Sequence, residues 1–163
     1  MQIRLFEVTD FVTVQDIYQQ GIDSKNATFQ LARKNWQQWQ ESMLQDSVLV
    51  MCDLDKVVGW AGLSSVSSRA VYRGVGEVSI YVAKESAGEG VGSQLMLSLI
   101  TRSELLGFWA LQATIFPENS ASMALHSKYK FRRVGQRNAL GKMHGKWRDV
   151  ELLERRSESV GTD

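Results

Sequence analysis

The residues of this chain best suited to chemistry gather around one short segment. Ala87-Gly88-Glu89-Gly90-Val91-Gly92 lies between a strand-like and a helix-like stretch. Glycine lacks a Cβ, so such a backbone can take positive φ and approach a ligand closely. A helix start also leaves amide N–H groups unpaired, and its dipole favours an anion there. A diphosphate suits both features. Taken alone, the triplet also reads as a plain glycine-rich turn. Two other phosphate loops are excluded. A Walker A loop ends in Gly-Lys-Ser/Thr, whereas Gly92 is followed by Ser93 and Gln94. The dinucleotide fingerprint needs a third glycine at a spacing that neither Gly88 nor Gly90 provides, and it follows an early strand.

The remaining candidate groups are few. Glu77 sits on a strand pattern and has a plain alternative as a solvated strand carboxylate. His126 sits on a helix pattern, where a histidine is often just structurally satisfied; it can pass protons near neutral pH. His144, within Met-His-Gly-Lys, reads as a turn residue. Cys52, the one cysteine, lies in an apolar run and reads as core; a lone cysteine excludes an internal disulfide and suits a reducing compartment.

Positioning these groups takes an ordinary globular chain: 163 residues, 44% hydrophobic and 23% charged, long enough for one domain with a real core. A net charge of +1, from 19 basic and 18 acidic residues, offers no electrostatic reason for a nucleic-acid or membrane partner. No apolar run approaches the ~20 residues of a membrane span. Met1–Asp10 lacks the layout of a secretion signal, so the expected location is cytoplasmic.

Ile3, Leu5 and Glu7 start a strand, and Asp10 reads as the N-cap of an amphipathic helix carrying Val14, Ile17 and Tyr18. Trp36, Trp39 and Met43 predict a second helix near residues 34–45, the tryptophans forming core or interface. Strands are expected at Ser47–Cys52, Val57–Val66 and Val75–Ala83, the first two joined by Asp53-Leu54-Asp55-Lys56. After the glycine loop, Leu95, Met96, Leu99 and Ile100 mark a helix. Trp109–Phe116 is strand-like, Glu118 to Tyr129 helical, and Phe131–Gln136 and Trp147–Glu154 form the last strands. This order argues an α/β or α+β domain with a mixed sheet. From about Ser157 the chain reads as a disordered tail, which leaves residues 1–156 as the domain.

Several of these stretches resemble the GCN5-related N-acetyltransferase (GNAT) superfamily. Glu77-Val-Ser-Ile-Tyr-Val-Ala83 resembles its cofactor strand, and Asn119-x-x-Ser122-x-x-Leu125-His126, ending in Phe131, its last helix. Ala27-Thr28-Phe29, Tyr72-Arg73, Phe116-Pro117-Glu118-Asn119 and Lys142-Met-His-Gly-Lys-Trp-Arg-Asp149 are similar to the phosphinothricin and methionine sulfoximine acetyltransferase branch. The resemblance runs from about Ile3 to Arg155.

It implies a twisted mixed sheet splayed between its fourth and fifth strands, flanking helices, and acetyl-CoA as cosubstrate without a metal. Ile80, Tyr81, Val82 and Asn119 match positions along the pantetheine arm, and Gly88, Glu89, Gly90, Val91, Gly92 and Ser93 match the diphosphate loop. Glu77 matches the general base, and His126 the position of a proton shuttle or acid. Phe29, Arg69, Tyr72 and Arg73 match positions near the amine. The branch implies a homodimer acting on small amino acids such as phosphinothricin, methionine sulfoximine or methionine sulfone.

Four departures stand out. Ala87 replaces a customary arginine or glutamine and Glu89 a customary basic residue, which predicts weakened acetyl-CoA binding. Ser67 replaces a basic residue that in relatives helps hold the substrate's acid group. Lys130 replaces a glycine after the last helix, which predicts a lysine in a left-handed cap. Two other readings remain beside a small-molecule acetyltransferase: acetylation of protein or peptide amines, and CoA binding with little turnover.

Overall fold

The computed structural model describes every residue, Met1–Asp163. Its elements are β1 (Gln2–Leu5), α1 (Phe11–Asp23), α2 (Trp36–Ser42), β2 (Leu49–Asp53), β3 (Lys56–Ser65), β4 (Val75–Val82), α3 (Val91–Leu105), β5 (Ala110–Ile115), α4 (Ser120–Lys128), β6 (Arg132–Met143) and β7 (Lys146–Arg156). The succession of strands and helices is the one read from the sequence. No helix is long and apolar enough to cross a membrane.

The seven strands form one sheet in the order β1-β2-β3-β4-β5-β7-β6. Only β4 and β5 pair in parallel, and they do so only over Val75–Glu77 and Ala110–Gln112. A parallel neighbour needs a crossover, which α3 supplies. From Val78 onward β4 keeps β3 on one side, to Gly59↔Val82, and has no strand on the other. The sheet is therefore mixed and splayed between its fourth and fifth strands.

Both faces are packed. On one, Leu95, Met96 and Leu99 of α3 meet Leu63, Leu111, Ala113 and Leu153, all fully or almost fully buried. On the other, Val14, Ile17 and Tyr18 of α1 with Trp39 of α2 cover Val50, Cys52 and Trp60. Burial of each large apolar side chain contributes about 1.5–3 kcal/mol, so the helices are held by their apolar stripes. Cys52 and Trp39 are core residues, as expected.

Asp10 corrects one expectation. It sits at the start of α1, but its carboxylate makes no cap bond to that helix. The chain enters α1 from a 3-10 turn, Val8–Asp10, and the carboxylate instead accepts from Arg4 at 2.7 and 2.8 Å and from the Glu7 amide at 2.8 Å. The Arg4 hydrogen bond holds its carboxyl below the usual range. The final hairpin is longer than its sequence pattern: β6 continues to Met143 through two register shifts, which erase the alternation between Gln136 and Gly141. His144 and Gly145 close it with φ of 50° and 76°, the type I′ requirement of two positive φ values.

The last residues turn back onto the body. Ser157 Oγ donates to Glu104 Oε1 at 2.9 Å, and Arg156 donates to the Val160 carbonyl at 2.8 Å. Lys130 takes φ 64° after α4, the left-handed cap read from the sequence. An L side chain is disfavoured there by about 1–2 kcal/mol, part of which glycine would lose again as chain entropy. Lys130→Gly should therefore stabilise the fold by on the order of 1 kcal/mol. A urea titration checks this; an unchanged or lower midpoint contradicts it.

Candidate functional site

The splay of β4 is what creates a site. Ala83 N–H bonds the Val58 carbonyl at 2.9 Å. Antiparallel pairing alternates, so the backbone groups of Val82, Ile80 and Val78 face away from β3. They face the side that β5 has vacated. A row of amide donors and carbonyl acceptors with no strand partner suits an extended ligand that carries amides of its own.

Two cavities meet along this edge. One, of about 370 Å³, is lined by Val78, Ile80, Tyr81, Val82, Gly92, Asn119 and His126 among others. The second, of about 330 Å³, lies toward α1 and α2 and is lined by Phe29, Trp39, Trp60, Glu77, Tyr81 and Phe116 among others. Both touch Ala27, Val78, Ser79, Tyr81 and Thr114. A group threaded along β4 in the first cavity therefore ends beside the second.

The glycine loop stands at the outer end of the first cavity. Gly88 and Gly90 both take φ 82°, and a Cβ built on either would meet nothing within 4 Å. The two positive φ values require glycine, and the open space leaves room for a ligand. Gly90 caps α3, and the helix's first backbone bond is Gln94 N–H to the Gly90 carbonyl at 3.1 Å. The amides of Val91, Gly92 and Ser93 are left to an anion. Val91 also anchors the loop, its side chain buried in the core.

Glu77 is half-buried on the face of β4 that looks into the second cavity. Its Oε1 accepts from Gln112 Nε2 at 3.2 Å and from Thr114 Oγ1 at 3.4 Å, both on β5. It thus sits where the strands part, beside the meeting point of the cavities. The wall around it is aromatic: Tyr81 stacks on Trp60 at 5.2 Å, Tyr18 meets Tyr81 edge-on at 5.0 Å, and Phe29 meets Phe116 at 4.8 Å. Burial raises the pKa of Tyr81 far above its ordinary value, so its hydroxyl stays neutral. Besides Glu77, Lys34 is the one charged residue lining this cavity.

His126 is 2% exposed. Its Nδ1 lies 2.8 Å from the Ser122 carbonyl, which can only accept, so Nδ1 carries the proton. Nε2 is left as a bare acceptor without a partner. Desolvation lowers the pKa of His126 below the ordinary 6.5, partly offset by the Ser122 bond. At neutral pH the ring is uncharged and prepared to accept a proton. Asn119 holds the other end of α4: its Oδ1 accepts from Ser122 N–H at 3.2 Å and its Nδ2 donates to the Asn26 carbonyl at 3.1 Å.

The structure brings Glu77, His126, Ile80, Tyr81, Val82, Asn119, Phe29 and, from the glycine loop, Gly92 to the walls of these two cavities; Gly88, Glu89, Gly90, Val91 and Ser93 lie beside Gly92 and outside those walls. It does not bring Arg69, Tyr72 and Arg73 there. They are exposed on the β3–β4 connection, with Arg69 over the Tyr72 ring at 5.5 Å and Arg73 over Trp109 at 5.4 Å. Three contributors escaped the sequence reading as site residues. Tyr18 and Trp60 look like ordinary core aromatics until a cavity opens against them. Arg148 braces the wall: it donates to the Lys25 carbonyl at 2.9 Å and to Asn26 Oδ1 at 3.2 Å, and its guanidinium lies 3.9 Å over Phe116. Its one signal was its place within the Lys142–Asp149 motif.

Comparison with known proteins agrees with this geometry. The family model described as the acetyltransferase (GNAT) family matches residues 13–131. The L-methionine sulfoximine/L-methionine sulfone acetyltransferase of Pseudomonas aeruginosa is 27% identical over 158 residues, covering 93% of this chain and 92% of that protein. A GNAT superfamily phosphinothricin acetyltransferase from Sinorhizobium meliloti, solved in complex with AcCoA, superposes with a TM-score of 0.85 at 26% identity, over 99% of this chain and 96% of that one. A ribosomal-protein-alanine N-acetyltransferase from Brucella melitensis superposes with a TM-score of 0.89 at 27% identity, over 96% of this chain and all of that one.

The buried neutral ring of His126 has a consequence for stability. The unfolded chain binds this proton more readily than the folded one, so stability is full above about 6.5 and is lost as the pH falls from there through the lowered folded value. Denaturant titrations between pH 7 and 5 should show a steeper loss for the native protein than for His126→Asn. Equal slopes would mean that the ring is not held neutral.

Proposed function

Because the chain belongs to the acetyltransferase (GNAT) family, we propose that it transfers the acetyl group of acetyl-CoA to the primary amine of a small amino-acid-like substrate. Substrates of the phosphinothricin, methionine sulfoximine or methionine sulfone type are the first to test, since similar proteins carry those names. The observation that carries the reading is the meeting of the two cavities at the point where β4 leaves β5, with Glu77 at the junction.

The residues present fit acetyl-CoA. The free amide and carbonyl groups of Val78, Ile80 and Val82 suit the amides of a pantetheine arm. Gly88, Gly90 and the amides of Val91, Gly92 and Ser93 suit a diphosphate. Asn119, at the same cavity, organises the start of α4. When bound, acetyl-CoA supplies an activated acetyl thioester.

The chain's own residues do the rest. Glu77, half-buried and held by Gln112 and Thr114, takes the proton that an ammonium substrate must lose, directly or through one water. A free backbone amide of the Ile80–Val82 segment is the fixed donor for the acetyl carbonyl oxygen, while its neighbours along the strand serve the pantetheine arm. His126, neutral with a bare Nε2, is suited to receive and pass on a proton; its lowered pKa disfavours a resting imidazolium acid. Phe29 and Phe116 close one wall of the amine cavity and exclude water. The proposed chemistry calls on no metal.

A cavity of about 330 Å³ with aromatic walls favours a small molecule over a peptide segment. Arg69, Tyr72 and Arg73 can reach an acid group of the substrate only if the β3–β4 connection folds inward, so Lys34 is the cation now available to it. The apolar surface left bare on the last hairpin, with Leu140 42% and Trp147 64% exposed, supports a homodimer. A cytoplasmic location accords with the free thiol of Cys52.

Thiol release from acetyl-CoA across an amine panel that includes methionine sulfone tests the activity, with acceleration by at least one small amine expected. Acceleration by peptides alone, or none, would remove the small-amine reading. Glu77→Gln should lower kcat by about a hundredfold or more near neutral pH with little change in CoA affinity. An unchanged rate would dismiss Glu77 as base.

A further inference from the structure

The glycine loop, Ala87–Gly92, carries no basic side chain of its own, and Glu89 adds a negative charge to it. We propose that Lys128, from the last turn of α4, supplies that cation from across the cleft. This rests on the acetyl-CoA reading above and adds a cofactor-affinity residue to it.

Lys128 Nζ donates to Ser93 Oγ at 2.8 Å. Ser93 belongs to the first turn of α3, whose opening backbone bond is made only by Gln94, so the ammonium sits beside the free amides. Its position is braced. Ser93 Oγ and Tyr129 Oη are 2.6 Å apart, and the ammonium lies 5.5 Å over the Tyr129 ring. An ammonium has three donors, and one is spent on Ser93. Lys128 forms no ion pair with any carboxylate, in contrast to Lys56 with Glu85 and Lys130 with Glu158. Its charge is therefore not spent on a carboxylate, and two of its donors remain free beside the Ser93 hydroxyl.

The arrangement also answers the expectation of weak cofactor binding. The charge missing from the loop is moved to a neighbouring helix and tied to the loop by Ser93. Lys84 also lines the cleft, but it belongs to the turn before the loop, and the hydrogen bond it donates runs from its backbone amide to Gln20 rather than to the first turn of α3.

Calorimetric titration of the purified protein with CoA and with 3′-dephospho-CoA tests the proposal, since both ligands keep the diphosphate. Lys128→Ala should weaken both by the same factor, about tenfold or more, the usual weight of a charge-assisted hydrogen bond. Lys128→Arg should stay within about threefold of the native protein, because the charge is kept. Adding Ala87→Arg to Lys128→Ala should restore binding by returning a cation to the loop, which a merely structural role for Lys128 would not allow. Unchanged CoA binding by Lys128→Ala overturns the proposal. So does a loss seen with CoA and absent with 3′-dephospho-CoA, which would assign the lysine to the ribose phosphate. Failure of the native protein to bind CoA at all would instead sink the acetyl-CoA reading on which this rests.

Discussion

The structure depends on a strand edge left without a partner. Buried backbone amides and carbonyls are costly unless paired, and most folds meet the demand by extending the sheet. Here β5 pairs with β4 for three residues and then leaves. The cost is limited because the edge faces a cleft that water or a ligand can enter. Every other element is arranged to hold that cleft open: α3 fixes the base of the splay through Leu95, Met96 and Leu99, and β7 holds β5 on its far side from Ala110 to Ile115.

The cleft divides the chemistry by face. Alternation along β4 sends Val78, Ile80 and Val82 toward the α3 core and Glu77, Ser79 and Tyr81 toward α1 and α2. One strand therefore turns its free backbone edge toward one cavity and the side chains of Glu77, Ser79 and Tyr81 toward the other. The carboxylate at Glu77 is aimed by neighbours on β5, and the buried ring of His126 by a carbonyl one helical turn earlier. Both are held by partners that do not ionise: an amide, a hydroxyl and a backbone carbonyl.

Much of this is legible in the sequence. The period-two alternation of Val75–Val82 and the apolar spacing of Leu95, Met96, Leu99 and Ile100 are local signals, and the glycines between them mark a change of backbone direction. Lys130 in a left-handed cap was also legible, because the position follows a helix and must end it. What escaped depends on distant chain. Asp10 looks like a helix cap when only the residues that follow it are considered; Arg4 on β1 claims the carboxylate instead. The extent of β6 is hidden by register shifts that interrupt both alternation and pairing before the ladder resumes at Gly141. The cavity wall of Tyr18, Trp39 and Trp60 comes from three separate elements, and nothing in their spacing marks them as more than core. Arg69 and Arg73 were placed near the amine by resemblance, whereas the torsions of an exposed connection decide where they point.

Arg148 ties two distant parts of the chain together. It grips Lys25 and Asn26, and Val150 and Leu140 of the same hairpin complete the wall of the second cavity. The first cavity is built entirely from residues between Ile17 and His126. A chain emerging from the ribosome therefore has all the residues that line the first cavity before it has those that enclose the second. The last hairpin then does two things at once: β7 secures β5 beside the first cavity, and Leu140 and Val150 complete the wall of the second.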